Sequence, residues 1–436
     1  MIRDLIEILK EMGRSFFRIT MQHYGKLKPF LFWISPSTRS RFKTSILRIA
    51  FKLFYSMKPE VLYDKDFKQG VNLIGYPFAD IGDGEFIRQT ARSFTKSNIE
   101  FGIYDCGFET KVSQNYQHMV SLIRPSNSYL VNIFHLKPDN IEAFIIRHGE
   151  SLIAGHFNIG YWAWELGMYP EAWKRSLKYF NEVWCPSRFI QSAVSKCSSQ
   201  SIFYMPPAFD IEKPKEFDRN YFNLSDGRFL FLFVFDFKSF ISRKNPSGCI
   251  QAFQKGFPQG NEDVGLVLKS MGGKQYPEEF KSLKMAAQSD QRITIIDAMF
   301  TYDEIIGLMN ICDVFMSLHR SEGVGHSIAE SMMLGKPVIA TNYSGNTDFT
   351  RPDNSCLVDY KLIELKKGEY PYSKDQVWAD PNLDQAASYM RRLVEDDTYR
   401  NTVAKAGRSY IKTNHNSEAV GKNYRSRLIE LGLLDD

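Results

Sequence analysis

Cysteine is scarce and scattered. Cys106, Cys185, Cys197, Cys249, Cys312 and Cys356 form no C-x-x-C pair, which argues against a zinc site or disulfide scaffold and for a reducing compartment. No apolar run approaches the roughly 18 residues that a membrane span needs. The first residues have neither the apolar core nor the small-residue cleavage site of a signal peptide, so a cytosolic protein is expected. Short internal repeats and low-complexity tracts are absent, as are the Walker lysine pattern and a complete G-x-G-x-x-G. What is present is an ordinary globular composition, 43% hydrophobic and 24% charged over 436 residues, enough for two domains.

The net charge of +5 hides an asymmetry. Residues 1–58 carry twelve Lys/Arg against three Asp/Glu, a surplus of +9, and the remainder is −4. Ile2, Leu5, Ile6, Leu9, Met12, Phe16 and Ile19 recur at helical spacing, and Phe42, Ile46, Ile49, Leu53, Phe54 and Met57 repeat the pattern opposite Arg41, Lys43, Arg48 and Lys52. Basic amphipathic helices rich in aromatics suit an anionic membrane surface. The same helices could instead pack on the protein body with their charges solvated. Nucleic-acid binding has only the charge to support it, and none is expected.

Beyond Pro59 strand and helix signals alternate, which implies parallel sheets. "GVNLIGYPFADIGDGEFIRQTARSF" reads as strand, a loop made by Gly82 and Gly84, and helix. "EFGIYDC", "SYLVNIFHL", "GYWAWEL", "EVWCPS" and "SIFYMPPAF" continue the series up to a polar linker, Asp210 to Gly227. A second series follows: the strand "RFLFLFVFDF", a helix from Pro246, and the strands "VGLVLKSMG" and "RITIIDAM". Helices resume near Asp384, and the last, about Ser417 to Leu433, could return to the first half. The expected divisions are a helical segment 1–60, a first domain 66–212, and a second domain 226–412.

The chemistry concentrates in "HRSEGVGHSIAESMMLGKPVIATN", His319 to Asn342. The apolar "DVFMSL" before it and "PVIAT" within it read as strands around a helix starting near Ser327, so the stretch is a βαβ unit. Gly323 and Gly325 allow a sharp turn and close ligand approach, and the helix start offers free amides to an anion. Glu322 and Glu330 bracket this turn. Two carboxylates beside an anion site suit a ligand with both phosphate and many hydroxyls, which describes a sugar nucleotide. Lys238, Arg243 and Lys244 follow the strand "FLFVFDF" and favour a pyrophosphate at the same sheet edge.

Together these residues resemble the retaining glycosyltransferases of family 4. "EGVGHSIAE" is similar to that family's two glutamates separated by seven residues, and "AESMMLGKPVIATNYSGN" to its continuation. "WAWELGMYPEAW" and "EVWCPSRF" resemble first-domain signatures of the branch acting in bacterial surface-polysaccharide assembly. The resemblance spans Val71 to Leu431 and implies an α/β protein of GT-B architecture, two Rossmann-like domains facing a cleft, with an extra helical segment at the N-terminus. It implies a metal-independent hexosyl transfer from a nucleotide-diphosphate sugar to a lipid-linked or polysaccharide acceptor, without a cofactor. With the basic segment 1–58, a cytoplasmic protein peripheral to the inner membrane face is expected.

Site roles follow from the resemblance. Glu322, the catalytic candidate, and the backbone of Gly323, Val324 and Gly325 would hold the donor sugar. Glu330 would take the ribose, Asp297 and Ala298 the base. Lys238, Arg243 and Lys244, with the amides of His326 and Ser327, would clamp the diphosphate. Gly82 and Gly84 would close the first-domain side. Many relatives have arginine where this chain has Lys238, and lysine lacks the bidentate fork. His135 and His156 are both candidates for the histidine that relatives place near the reacting sugar, and Glu165 for a cleft residue. No metal site is implied, and no DxD-like motif stands where one would be needed. The alternatives are a GT-B sugar-nucleotide epimerase and a membrane-docked nucleotide-sugar-binding protein without activity.

Overall fold

From Lys68 to Tyr204 the chain alternates β1 (Lys68–Gly75), α1 (Gly82–Lys96), β2 (Phe101–Asp105), β3 (Tyr129–Phe134), α2 (Ile141–His148), β4 (Phe157–Tyr161), α3 (Glu171–Lys174), β5 (Glu182–Cys185), α4 (Arg188–Ser195) and β6 (Ser201–Tyr204). The structure is a computed structural model and describes residues 10–15, 19, 63, 67–79, 81–107, 116–211, 214–258 and 263–435. Apart from residues 10–15 and 19, the basic segment 1–58 lies outside the described residues. The six strands form one parallel sheet in the order β2-β1-β3-β4-β5-β6.

The second series is β7 (Phe229–Asp236), α5 (Ile241–Lys244), α6 (Pro246–Gly256), β8 (Val264–Met271), α7 (Pro277–Ala287), β9 (Ile293–Asp297), α8 (Tyr302–Ile311), β10 (Val314–Ser317), α9 (His326–Met333), β11 (Val338–Thr341) and β12 (Cys356–Val358). It makes a second parallel sheet, β12-β11-β10-β7-β8-β9. Near-continuous apolar runs such as "FLFLFVF" belong in strands covered by helices on both faces, and Phe231, Leu232 and Phe233 are buried accordingly. An antiparallel hairpin follows, β13 (Tyr360–Glu364) and β14 (Val377–Pro381), and then α10 (Leu383–Glu395), α11 (Asp397–Asn414) and α12 (Ser417–Glu430). Helix α12 packs on the first sheet's side. Tyr424 meets Phe94 of α1 at 5.2 Å between ring centroids, and Arg427 ion-pairs with Glu182 of β5.

Two Rossmann-like domains thus face each other, and the fold is α/β as expected. Strand order reverses between β1 and β3 in the first sheet and between β10 and β7 in the second. Such switch points open crevices at the carboxyl ends of the strands, where ligands bind.

The first sheet carries a polar ladder in its core. The Asn72 amide donates to Asn132 Oδ1 at 2.9 Å, and the Asn132 amide to Asn158 Oδ1 at 2.9 Å, across three neighbouring strands in register. Their remaining amide hydrogens reach backbone carbonyls. A slip by one residue would bury these amides unpaired, so the ladder fixes strand register.

Two local expectations are corrected. The strand in "GYWAWEL" ends at Tyr161, and Trp162 to Leu166 form a loop. The Trp162 amide still donates to the Trp184 carbonyl of β5 at 3.2 Å, and beyond it the loop is held by packing, with Trp162 and Trp164 buried against Phe180 and Trp173. Gly82 and Gly84 stand in the first turn of α1 and not in a loop before it. A Cβ on Gly84 would come within 2.2 Å of the Ala79 carbonyl, so Gly84 lets the helix start against the preceding turn.

Candidate active site

The second sheet's switch point lies between the loops that follow β7 and β10, and both carry expected site residues. After β7 the chain makes a 3₁₀ turn and the single-turn helix α5, which ends in Arg243 and Lys244. After β10 comes "HRSEGVG". Lys244 Nζ lies 2.5 Å from one Glu322 carboxylate oxygen and Arg243 Nη1 lies 3.1 Å from the other. Arg243 also donates to the Ser321 carbonyl at 2.8 Å. Burial alone would raise the Glu322 pKa, but Arg243 and Lys244 outweigh it and hold the carboxyl far below the usual range. Glu322 is therefore ionised against Arg243, which its charge holds protonated, while burial lowers the pKa of Lys244 in spite of the Glu322 charge.

The Glu322 loop is braced from behind by "TNYSGN". Ser344 Oγ accepts from the Glu322 amide at 2.8 Å, and the Gly345 amide donates to the Glu322 carbonyl at 2.9 Å. Ser344 adopts a left-handed φ of 73°. A Cβ on Gly345 would overlap the Gly323 carbonyl at 1.9 Å. Glycine is required there because two backbones touch.

Gly325 precedes α9 with φ 93°, and His326 and Ser327 open the helix, where the first amides have no intrahelical acceptor. The His326 ring is packed between Phe86 of α1 and Phe209, at 4.8 and 5.5 Å between centroids. Burial lowers its pKa to about 4, which keeps it neutral. One turn on, Glu330 is buried and hydrogen-bonded to Tyr302 at the start of α8. Burial, then the charge of Glu85 on α1, raises its carboxyl to about 7. Glu85 itself stays ionised between Arg88 and Arg92, at 2.8 and 2.7 Å. The two glutamates of the motif thus lie in opposite electrostatic environments.

The other expected residues divide. Lys238 is exposed on the 3₁₀ turn, where its amide donates to Asp236 Oδ1 at 2.9 Å. Asp297 ends β9 and accepts from Ser270 Oγ at 3.0 Å and the Gly273 amide at 3.2 Å, and the Ala298 carbonyl accepts from Lys269 Nζ at 2.5 Å. Val324 is buried. His135 follows β3 at the first sheet's switch point. It is buried with both ring nitrogens unpartnered among the described residues, 4.9 Å between its ring centroid and that of Tyr161, and burial lowers its pKa to about 3. His156 departs from the expectation. It precedes β4, at the edge of the sheet away from the cleft, and its nitrogens are bonded to the Tyr129 carbonyl at 2.8 Å and Asn127 at 2.9 Å. Its role is structural.

Glu165, in the loop after β4, meets the second domain. Its carboxylate accepts from Tyr370 at 2.7 Å, and a Cβ on Gly323 would lie 3.6 Å from its Cγ. Tyr370, Tyr302, Glu85 and Arg92 were missed by sequence reasoning. A signal existed only for Tyr302, in the capping box Thr301-x-x-Glu304 that starts its helix. A cavity of about 650 Å³ lined by Asn245, Glu278, Glu279, Arg320 and Asp380 lies outside this constellation.

Two facing Rossmann-like domains with the site between them define the GT-B class. Residues 214–410, which span the second sheet and most of the helices after it, match the family of glycosyl transferases group 1, and that match supports a glycosyltransferase. No curated protein sequence matches. Among solved structures, Anabaena HepE in complex with UDP and glucose is similar at TM-score 0.58 and 14% identity, over 83% of this chain and 99% of that one. Sucrose-phosphate synthase from Thermosynechococcus elongatus aligns at TM-score 0.61 and 15% identity, over 84% and 99%. A glycosyltransferase from Rickettsia africae aligns at 0.58 and 14%, over 84% and 99%. At these identities the likeness is one of fold.

Proposed function

We infer that the chain is a retaining, metal-independent hexosyltransferase that moves a sugar from a nucleotide-diphosphate sugar to a lipid-linked or polysaccharide acceptor in bacterial surface-glycan synthesis. One observation carries the reading: a single switch-point loop holds Glu322 ionised between two cations and Glu330 buried one helical turn away. The group 1 match over 214–410 and a fold neighbour that holds UDP and glucose support it.

In this reading Glu322 and the backbone of Gly323 to Gly325 take the donor sugar's hydroxyls, and Glu330 takes the ribose. Asp297 and Ala298 receive the base. Arg243, Lys244, the exposed Lys238 and the amides of His326 and Ser327 meet the negative charge of the diphosphate. Gly82 and Gly84 border the first-domain side, and His135 lies above the reacting sugar. The acceptor oxygen attacks the anomeric carbon on the face that the diphosphate leaves, and the departing phosphate oxygen takes the acceptor's proton. The chain supplies positioning and preorganised positive charge.

The reading is tested by mixing UDP-, GDP-, dTDP- and CMP-linked sugars with the protein, with and without EDTA, and following melting temperature and transfer. One nucleotide class should raise the melting temperature, because it binds only the folded state. Transfer should persist in EDTA, since side chains and amides carry the diphosphate charge. Failure of every nucleotide to bind would sink the reading, and strict dependence on Mg²⁺ or Mn²⁺ would assign another transferase class.

Peripheral docking on the inner membrane face through residues 1–58 is the second part of the proposal. Basic residues near an anionic surface contribute about 1 kcal/mol each, so vesicle binding should weaken steeply with salt. Deleting 1–58 should release the protein from anionic vesicles and depress transfer to a lipid-linked acceptor far more than to a soluble analogue. Continued co-sedimentation of the truncated chain would remove the membrane role.

A further inference from the structure

Between β13 and β14, residues 365–376 leave the second domain and lie across the cleft on the first. Leu365 and Tyr370 join the first domain's buried aromatic cluster. The Gln376 side chain exchanges two hydrogen bonds with the Met168 backbone, at 2.8 and 3.1 Å. Tyr372 packs on Trp164 and Trp173, at 6.2 and 5.9 Å between centroids. Its backbone is left-handed, φ 56°, a conformation that a side-chain-bearing residue holds only when its surroundings fix it.

Tyr370 is where this strap meets the site. Its hydroxyl donates to Glu165 Oε2 at 2.7 Å, the one hydrogen bond to that carboxylate among the described residues. Its ring lies 4.7 Å from Phe240 and 5.8 Å from the Arg243 guanidinium carbon. Ser321 Oγ, one residue before Glu322, donates to the Glu165 carbonyl. The donor-side triad and a first-domain carboxylate are therefore joined through one tyrosine.

We propose that Tyr370 is a positioning residue, which fixes the Glu165 carboxylate against the Glu322–Gly323 loop so that its second oxygen accepts a hydroxyl of the incoming sugar acceptor. The assignment to the acceptor rests on the transferase reading and on which domain supplies Glu165. The donor's charged groups are met by the second domain, whereas Glu165 comes from the first. A hydroxyl needs an oriented hydrogen-bond acceptor, and a carboxylate with one oxygen already engaged presents the other in a fixed direction.

Tyr370→Phe keeps the ring on Phe240 and Arg243 and removes only the hydroxyl. It is expected to raise KM for the acceptor about tenfold, the scale of a lost hydrogen bond to a charged group, with KM for the donor moving less than about twofold. Glu165→Gln should do the same, and the double variant should be no worse than either single one, because the tyrosine acts through the glutamate. Additive losses, or an equal rise in donor KM, would overturn the assignment. Hydrogen exchange of wild type and Tyr370→Ala gives a readout independent of turnover. Exchange across 162–176 should accelerate in the variant, and unchanged exchange would overturn the strap whatever the activity. A wild type that transfers no sugar to any acceptor would instead fail the transferase reading, leaving exchange to decide the strap.

Discussion

Glu322→Gln is expected to destabilise the folded protein by about 3 kcal/mol and to abolish measurable transfer. Glutamine keeps the shape but not the charge, leaving Arg243, 4% exposed, and the half-buried Lys244 facing each other without a counter-ion. Removing one partner of a buried ion pair typically costs about 3–5 kcal/mol. The lower end applies because Arg243 keeps its bond to the Ser321 carbonyl. The same uncompensated cations predict a second effect of opposite sign. A nucleoside diphosphate brings negative charge to them, so the cognate nucleotide should raise the variant's melting temperature more than the wild type's, while turnover stays lost. Urea unfolding with and without nucleotide checks both. Wild-type stability in the variant would mean that Arg243 and Lys244 do not depend on Glu322 as their counter-ion.

Much of this site was legible because its parts are close in sequence. Glu322, Gly323, Gly325 and Glu330 lie within nine residues, and a βα turn places them by local geometry alone. Arg243 and Lys244 were legible for the same reason, as cations ending a buried strand. Their position suggests a diphosphate clamp but not that they neutralise Glu322, because the loops after β7 and β10 meet only once β10 pairs with β7. Tyr370 and Glu165 are 205 residues apart, and "GEYPYS" carries turn signals but nothing that names a partner. His135 and His156 show the same limit. Both flank apolar strands, and only the direction of the parallel sheet puts His135 at the cleft and His156 at the far edge.

Glu330 should give the enzyme a pH profile that no other motif residue can supply. Burial and the Glu85 charge raise its carboxyl from 4.5 to about 7. A raised carboxyl stabilises the fold while protonated, and that stability is lost as pH rises through the folded value. Between pH 5 and pH 8 the ligand-free protein should therefore lose roughly 3 kcal/mol against urea, since each tenfold change in proton affinity is worth about 1.4 kcal/mol. Donor affinity should move the other way. Ribose hydroxyls donate to the ionised carboxylate, whose population at pH 5 is about a hundredfold smaller than above pH 7, so KM for the donor should rise on that scale as pH falls. His326, at about 4, titrates below this window. Glu85 and Arg92 hold their charges through it, and the Tyr302 hydroxyl, its pKa raised by burial and by Glu330, stays protonated. Glu330→Gln should flatten both curves at once, which a general loss of fold could not do. If the donor KM of wild type stayed level from pH 8 to pH 5, the ribose would not sit on this glutamate, and the pairing of the two motif carboxylates with the two ends of the donor would be wrong.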